Sequence, residues 1–511
     1  MNRSLLILTK SREGRAKLNI IVSLGRQLVT LLCGIVVPRL LIGAFGSEAY
    51  GATTSITQFL AYITLLEGGI GGVARAALYK PLANNNIQVI SEIVSEIKRF
   101  FRIIAYIFIV YVLILACSFQ ELSHVKCFDW LSTFLLVIVI SISTFAQYFI
   151  GISYSVLLQA AQKSYITDLI NIFATVMNTI VIVFLVAFGS NLIIVKFISS
   201  CVFVLRPILM WLFVKKDFKL IKCKKGEKEY LTQKWDGLAQ HIAYFLYSNT
   251  DIAVLTIFSN LTAVAVYSVY YMVVSHIQNF ATSFSTGMEA LFGEMFVKRE
   301  KDKLNKTFDY YDMLISFITV ILFSVTLVLI VPFIIIYTSG IKDANYVQPI
   351  FAVLLTLSSI VTCLRTPYHN MTIAAGHFRQ TQIAAYGEAV INIVLSIVLV
   401  IKLGLIGVAI GTLLAALFRM FYYAFYLTKH IFNRPIIKFI KREIVNVIAI
   451  LLIVMAGNII VNNWLLSGYL RWFQCGSIVT VIAVLITVLI NLVFYKRDFI
   501  LMLQKWRKVR Y

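Results

Sequence analysis

Long apolar runs dominate the pattern of hydrophobic and polar positions along this chain. A run of about 20 apolar residues is long enough to cross a bilayer as a helix. The chain contains fourteen such runs, at 18–42, 51–79, 100–119, 131–158, 166–188, 191–214, 237–259, 263–292, 311–337, 349–374, 380–402, 405–428, 444–464 and 472–495. Because backbone groups inside a bilayer must be satisfied internally, the pattern predicts an all-α polytopic membrane protein with about 14 transmembrane helices.

The composition excludes a water-soluble fold of this length. Of the 511 residues, 60% are hydrophobic and only 14% are charged, whereas soluble domains carry roughly 25% charged residues. The net charge of +23 would suit a nucleic-acid-binding protein. In a membrane protein it instead indicates basic cytoplasmic loops, so no nucleic acid is expected as a partner. The seven cysteines form no C-x-x-C pair, and neither a metal site nor a disulfide framework is predicted.

Basic residues cluster in alternate connections between the predicted spans. They are frequent before residue 18, around 98–102, in the 215–235 loop, around 298–306, at 429–442 and after 495, whereas the other connections hold few. Lys and Arg mark cytoplasmic loops. The charge pattern therefore places both termini and the 215–235 loop in the cytoplasm.

Weak internal repetition divides the chain into two lobes. Asn178 and Asn392 lie at equivalent points 214 residues apart, and Arg206 and Arg419 fall near the same point of the following spans. Six spans per repeat keep both copies in one orientation, as in a parallel repeat. We predict an N-lobe at 1–214, a basic linker at 215–235, a C-lobe at 236–430, and helices 13 and 14 with a basic tail at 431–511. The lobes are expected to superpose and to enclose a central cavity.

Arginines inside the predicted spans are the first candidates for function. Arg26, Arg206, Arg365 and Arg419 lie about eight to ten residues inside their spans, roughly 12–15 Å deep. A charge at such depth costs about 2.5–3.5 kcal/mol on insertion scales, so it needs a partner or a purpose. Two explanations for these arginines remain open: they face a water-filled cavity, or they form structural ion pairs. Arg75 lies one turn from its helix end, where snorkelling to the headgroups would also explain it.

Acidic side chains inside the spans are fewer. Asp251, with Asn249 beside it, and Glu67 lie near mid-depth, and Glu388 lies about eight residues into its span. Such carboxylates are candidates for a coupling proton or sodium ion, and the alternative is a salt bridge to an arginine. Glu67 and Arg75 are eight residues apart, about 80° around a straight helix. They are therefore not expected to pair with each other, and each is expected to face a neighbouring helix or the cavity.

Several segments together resemble Wzx-type polysaccharide (O-antigen) flippases of the multidrug/oligosaccharidyl-lipid/polysaccharide exporter superfamily. They are VVPRLLIGAFGSEAYG, LLEGGIGGVARAALY, SNTDIAVLTIF and AAGHFRQTQIAAYGEAVINIVLSIVLVIKLGLIGVAIGT. The similarity covers about 18–430. Many such flippases have twelve helices, so the two additional helices here depart from that pattern and are similar to the fourteen of lipid II flippases.

The resemblance implies a non-enzymatic transporter. Such proteins carry an undecaprenyl-pyrophosphate-linked oligosaccharide from the inner to the outer leaflet by alternating access, for surface polysaccharide such as lipopolysaccharide. It further implies a bacterial inner (cytoplasmic) membrane location, contact with membrane lipids, no bound cofactor apart from a coupling ion, and a monomer that works beside other polysaccharide-assembly proteins. We predict that Arg26, Arg206, Arg365 and Arg419, with Arg75, bind the substrate, because guanidinium groups match phosphate oxygens.

Two other function classes remain open. A drug or cation antiporter of the same superfamily would share the fold, although deep basic residues outnumber the acids here and favour an anionic cargo. An oligosaccharide polymerase or membrane glycosyltransferase would need a large outer loop or a cytoplasmic catalytic domain, and the connections between the predicted spans are too short for either. A P-loop is absent, which excludes an ATP-driven exporter in one chain.

Overall fold

The computed structural model describes residues 12–67, 70–221, 238–285, 288–464 and 468–500, and this part of the chain is helical without a strand. The helices are α1 Arg12–Phe45, α2 Ser47–Ala61, α3 Ile70–Ala83, α4 Ile87–Ser123, α5 Trp130–Ala146, α6 Ile152–Ala160, α7 Ser164–Ala187, α8 Leu192–Phe218, α9 Leu238–Phe258, α10 Leu261–Ser283, α11 Met288–Val297, α12 Lys301–Tyr337, α13 Pro349–Ala374, α14 Phe378–Leu403, α15 Leu405–His430, α16 Ile437–Asn463 and α17 Tyr469–Phe494.

The helices confirm the predicted all-α polytopic membrane fold. Twelve described helices are long and apolar enough to cross a membrane, and the count is thirteen if the bent pair Ser47–Glu67 and Ile70–Ala83 forms one broken span rather than a re-entrant loop. The predicted span at 237–259 corresponds to α9, in which Asn249–Phe258 is apolar. The protein is therefore a multi-pass membrane protein, and every predicted span contains helix.

Several predicted spans differ from the observed helices in length or continuity. The span at 51–79 is broken, because a 3-10 turn at Tyr62–Glu67 ends α2 and the axis then bends by 50°. A π-turn at Gln147–Gly151 separates α5 from α6. Helices α4 and α12 run well beyond the apolar runs at 100–119 and 311–337, because amphipathic turns extend them past the uniformly apolar segment.

The chain forms two compact units. Unit 1 comprises the described residues up to Phe245 together with Asn260–Ala265, and unit 2 comprises Leu246–Ser259 and the described residues from Val266 onward. The lobe and linker boundaries given above stay a prediction, as does the superposition of the lobes. Most of the 215–235 linker, from residue 222, and the tail from residue 501 lie outside the described residues.

Unit 1 packs around the long helix α4. Its buried face, which includes Ile97, Phe101 and Phe108, belongs to one apolar cluster that continues through α5, α6 and α8. Helix α1 packs along α7, and α8 packs against both α5 and α7. This arrangement brings polar residues of α1, α7 and α8 together.

Unit 2 is organised by the hairpin of α14 and α15. A single residue, Gly404, joins the two helices with φ +54°, a conformation that favours glycine. Farther along α15, a Cβ on Gly407 would lie 2.4 Å from the Leu399 carbonyl group, and one on Gly411 would lie 2.5 Å from Ser396 Oγ. The two glycines, four residues apart, therefore permit a close approach of the helix backbones.

Helices α16 and α17 pack on α12 of the same unit. A Cβ on Gly457 would lie 2.7 Å from Val328, and Cys475 and Val479 of α17 join the same apolar cluster. A buried ion pair between Arg442 Nη1 and Asp312 Oδ2, 2.6 Å long, ties α16 to α12. The C-terminal helices are thus fixed to unit 2 by both apolar packing and charge.

We expect Gly407→Ala to destabilise the protein, because the added methyl group would overlap backbone atoms of α14. Overpacking of this kind costs about 1–3 kcal/mol. Gly25→Ala in α1 is the matched control, since nothing lies within 4 Å of its built Cβ and alanine favours a helix interior. Thermal unfolding of the purified protein in detergent measures both. An equal midpoint for the two variants would contradict the proposed packing of α14 and α15.

Candidate functional site

Unit 2 holds a buried triad of two arginines and one glutamate. Arg365 on α13 and Arg419 on α15 each donate from Nη1 to a different carboxylate oxygen of Glu388 on α14. The glutamate is 0% exposed, and the arginines are 8% and 6% exposed. The triad therefore joins three neighbouring helices at one point and carries a net charge of +1.

Aromatic residues extend this triad. Tyr423, one turn after Arg419, accepts hydrogen bonds from its Nε at 3.2 Å and its Nη2 at 3.0 Å. The Tyr423 hydroxyl also lies 3.4 Å from His369 Nδ1 on α13. Each donor group of Arg419 thus has a partner within unit 2. Burial with full pairing is typical of a structural ion pair, and loss of one partner from such a pair is strongly destabilising.

Unit 1 contains a second arginine pair with less compensation. Arg26 Nε on α1 lies 2.8 Å from Asp168 Oδ1 on α7, and the Arg26 side chain is 40% exposed. Arg206 on α8 donates from Nη2 to Thr175 Oγ1 at 3.1 Å and stacks 4.0 Å above the Phe203 ring. The two guanidinium groups are close enough for the positive charge of Arg26 to repel that of Arg206.

The balance of charge in this pair is positive. Within the described part of the chain, Asp168 is the one acidic side chain that contacts either arginine. The Nε–H group of Arg206 is buried without a hydrogen-bond acceptor among the described residues, whereas Arg26 Nε faces Asp168 in the ion pair. The pair therefore has donor capacity that its neighbours leave unused, which is the property expected of a site for an anion.

The carboxylate of Asp251 lies in a separate polar cluster of unit 2. Its Oδ2 accepts hydrogen bonds from Tyr267 Oη and Thr412 Oγ1, both at 2.9 Å. Asn392 Nδ2 lies 3.5 Å from Oδ1 and 3.2 Å from Thr412 Oγ1. All the described partners of Asp251 are neutral, so the predicted alternative of a salt bridge does not apply to it. Asn249, two residues earlier on α9, is half-buried.

Two buried side-chain oxygen atoms of α14 lack a partner among the described residues, and one of them belongs to Asn392 of this cluster. Asn392 Oδ1 and Ser396 Oγ are buried and accept or donate no hydrogen bond among the described residues. Both residues lie on α14, one turn apart, and both are 0% exposed. A carboxylate beside an unsatisfied amide oxygen is a donor set that suits a hard cation or a proton.

Glu67 and Arg75 lie on separate helical segments of unit 1. Glu67 ends the 3-10 turn and accepts a hydrogen bond from the Tyr148 hydroxyl, which belongs to the π-turn after α5. Arg75 on α3 donates from Nη1 to Gln159 Oε1 at 3.0 Å. Each faces a neighbouring helix, and the 80° angle of a straight helix does not apply because the axis bends between them.

The structure thus groups the predicted residues within each unit. It joins Arg365, Arg419 and Glu388, and it brings Arg26 near Arg206, while Asp251 and Glu67 each lie in a cluster of their own. A common site for all four arginines and their roles in substrate binding stay predictions. Sequence reasoning did not identify the partners of these residues, which are Asp168, Thr175, Tyr148, Tyr267, Thr412 and Tyr423. The Asn178–Ser199 hydrogen bond of 2.6 Å in unit 1 matches the Asn392–Thr412 contact, and this symmetry could have directed attention to Thr412.

Comparison with solved structures identifies the fold. Lipid II flippase MurJ in an inward closed conformation matches with a TM-score of 0.70 at 14% identity, over 94% of this chain and 99% of that chain. An inward-facing multidrug resistance MATE family transporter of the MOP superfamily matches with 0.60 at 16% identity, over 79% and 95%. A MOP superfamily transporter from Pyrococcus furiosus matches with 0.51 at 13% identity, over 84% and 98%. No protein-family model and no curated protein matches the sequence. The chain therefore has the fold of MOP-superfamily transporters.

We expect Glu388→Gln to lower stability sharply, because it would leave two buried guanidinium groups without a counter-charge. Breaking a buried pair costs about 3–5 kcal/mol. Glu294→Gln is the control, since its pair with Lys298 is exposed on both sides. The midpoint of thermal unfolding in detergent and the yield of monodisperse protein measure both variants. A Glu388→Gln protein as stable as the control would contradict a structural role for the triad.

Proposed function

We propose that this protein is a flippase for an undecaprenyl-pyrophosphate-linked oligosaccharide, moving it from the inner to the outer leaflet by alternating access for surface polysaccharide synthesis. The observation that carries the proposal is the under-compensated arginine pair of unit 1. Among the described residues, an acidic side chain contacts Arg26 but not Arg206, and Arg206 keeps a buried Nε–H without an acceptor. The solved structure of a lipid II flippase with this fold supports a lipid-linked cargo.

The chemistry of the pair suits a pyrophosphate. A guanidinium group stays charged in a low-dielectric site and offers a planar fork of donors to phosphate oxygens. Thr175, already hydrogen-bonded to Arg206, is a neutral neighbour that leaves this charge uncancelled. In unit 2, by contrast, Glu388 already engages Arg365 and Arg419. We therefore assign the first contact with the pyrophosphate to Arg26 and Arg206, with Arg365, Arg419 and Arg75 as further substrate-binding residues of the proposed path.

The proposed protein works as a transporter and not as an enzyme. Its location is the bacterial inner membrane with both termini in the cytoplasm, a placement supported by the basic residues of alternate connections. The partners in this proposal are the lipid-linked oligosaccharide and the surrounding lipids, and the protein is a monomer beside other polysaccharide-assembly proteins.

A second candidate function is an ion-coupled multidrug antiporter. A MATE family transporter shares the fold, and the buried carboxylate of Asp251 is the observation that favours this function. A cationic drug would be repelled by the positive charge of the unit 1 pair, whereas an anionic cargo would be attracted. The two functions are distinguished by comparing the affinity of one protein preparation for an anionic ligand with its affinity for a cationic ligand.

Asp251 is the proposed coupling-ion site in either case. Together with its neutral partners Tyr267, Thr412 and Asn392, the carboxylate would hold a sodium ion or a proton. Glu67 and Glu388 remain further candidates for coupling, although Glu388 is already paired with two arginines.

Arg26→Ala/Arg206→Ala should bind a short-chain polyprenyl diphosphate about 100-fold more weakly than the wild type. Hydrogen bonds to charged groups contribute about 1.5–3 kcal/mol each, and the variant loses several. Asp168→Asn is the matched variant, because it removes the competing anion and keeps both arginines. It should bind as tightly as the wild type or more tightly. Titration of the purified protein in detergent, with thermal unfolding as a folding control, measures all three.

Two results would contradict this assignment. Wild-type affinity in the double alanine variant would exclude the pair from cargo binding. A loss of affinity in Asp168→Asn as large as that in the double variant would indicate that the ion pair with Asp168 is structural. The arginines would then not bind the diphosphate through their unused N–H groups.

Asp251→Asn and Thr412→Val should abolish the response of transport to a sodium or proton gradient and leave cargo binding intact. The first removes the charge that attracts the ion, and the second removes a hydroxyl ligand at nearly constant volume. Thr480→Val is the control, because its hydroxyl only bonds Gly476 O one turn earlier on an exposed helix face. Transport in proteoliposomes under imposed gradients is the measurement. Normal gradient response in both Asp251→Asn and Glu67→Gln would exclude coupling at these carboxylates.

A further inference from the structure

Two cations on α4 are held together without an acidic partner. Lys98 and Arg102 are four residues apart, so they lie on one face of the helix. Like charges at this spacing destabilise a helix, and the charge of Arg102 indeed acts unfavourably on Lys98. Among the described residues, neither side chain forms an ion pair or a hydrogen bond. The same helix carries Glu96, but that residue is two positions from Lys98 and so points to the opposite side.

Aromatic rings of the neighbouring span fix both cations. Lys98 Nζ lies 4.4 Å from the centre of the Tyr154 ring, and Arg102 Cζ lies 5.1 Å from the centre of the Phe149 ring. Such contacts hold a cation in place while its N–H groups stay available to another partner. The two charges are therefore ordered by π-systems that cannot neutralise them, and an ordered pair of this kind is suited to an anion.

An exposed apolar stripe begins beside these cations. Ile103, Tyr106 and Val110 of α4 are each more than half exposed, and Tyr106 packs against Phe149 with ring centres 6.2 Å apart. Their spacing of three to four residues puts them on one side of the helix. In a membrane protein such a stripe contacts lipid chains. A cationic pair at the end of a chain-binding stripe matches a ligand with a charged head and an apolar tail.

We propose that Lys98 and Arg102 form a binding site for the phosphate of an anionic phospholipid, whose acyl chain lies along Tyr106 and Val110. The site is independent of the cargo assigned above, because it uses neither Arg26 nor Arg206. The lipid phosphate supplies the counter-charge that the described neighbours of Lys98 and Arg102 do not provide. It also allows two like charges to remain four residues apart on one helix face.

Native mass spectrometry of the full chain released from nanodiscs tests the site. The probe is phosphatidylglycerol, and phosphatidylcholine nanodiscs provide the comparison. We expect the wild type to retain phosphatidylglycerol, and Lys98→Gln/Arg102→Gln to bind it about 30-fold more weakly, because each basic residue at an anionic surface contributes about 1 kcal/mol. Lys298→Gln/Lys303→Gln is the matched control. It removes the same charge from two lysines that are paired with Glu294 and Glu300, and it should retain the lipid as the wild type does.

Further measurements distinguish the source of the phosphate and guard against misfolding. Millimolar inorganic phosphate should not displace the lipid, and full displacement would overturn the lipid assignment in favour of a free-phosphate site. Lys98→Arg/Arg102→Lys keeps both charges and should restore binding. A photoreactive phosphatidylglycerol should label α4 or α6 of the wild type. Labelling confined to other helices, or an equal loss of lipid in the Lys298/Lys303 control, would overturn the proposal.

Discussion

The close approach of α14 and α15 is the constraint on which the polar architecture of unit 2 depends. Gly404 allows the chain to reverse in one residue, and Gly407 and Gly411 remove the side chains that would keep the backbones apart. Because the helices nearly touch, Glu388 reaches Arg419 and Asn392 reaches Thr412. The ion-paired triad and the Asp251 cluster are therefore two consequences of one packing arrangement, and a change in helix separation would alter both.

The arginines of the two units differ in how fully their charges and N–H groups are paired. In unit 2 a fully buried carboxylate engages both guanidinium groups, and a tyrosine occupies the remaining donors of Arg419. In unit 1 a threonine hydroxyl contacts Arg206, and a partly exposed aspartate contacts Arg26. A fully satisfied charge contributes to a unique packing of its helices, whereas an incompletely satisfied one retains affinity for an external anion. This contrast is the physical basis for assigning the first contact with the cargo to unit 1, while the unit 2 triad also braces its helices.

Hydropathy was sufficient to predict the all-α membrane fold, because a bilayer requires long apolar helices and twelve of the fourteen predicted spans correspond to described helices of this kind. Arg26, Arg206, Arg365 and Arg419 stood out because charge is rare at that depth. Their partners did not stand out, since Thr175, Tyr423 and Thr412 are small or amphipathic residues that occur in many apolar helices. The breaks in the helices at these two turns were not predicted from the sequence either. Glu67 ends a 3-10 turn and Tyr148 lies in a π-turn, yet neither segment contains a proline, and the two segments are joined by a hydrogen bond between residues 81 positions apart.

Transbilayer movement of a labelled lipid tests the central claim most directly. Purified protein would be reconstituted into liposomes with a fluorescent polyprenyl diphosphate that carries an oligosaccharide, and membrane-impermeant quenching would report the fraction in each leaflet. The account predicts protein-dependent movement of the diphosphate lipid between leaflets, and no accumulation of a cationic dye by the same liposomes under an ion gradient. Movement of the dye with no movement of the diphosphate lipid would contradict the account and would instead identify a drug antiporter.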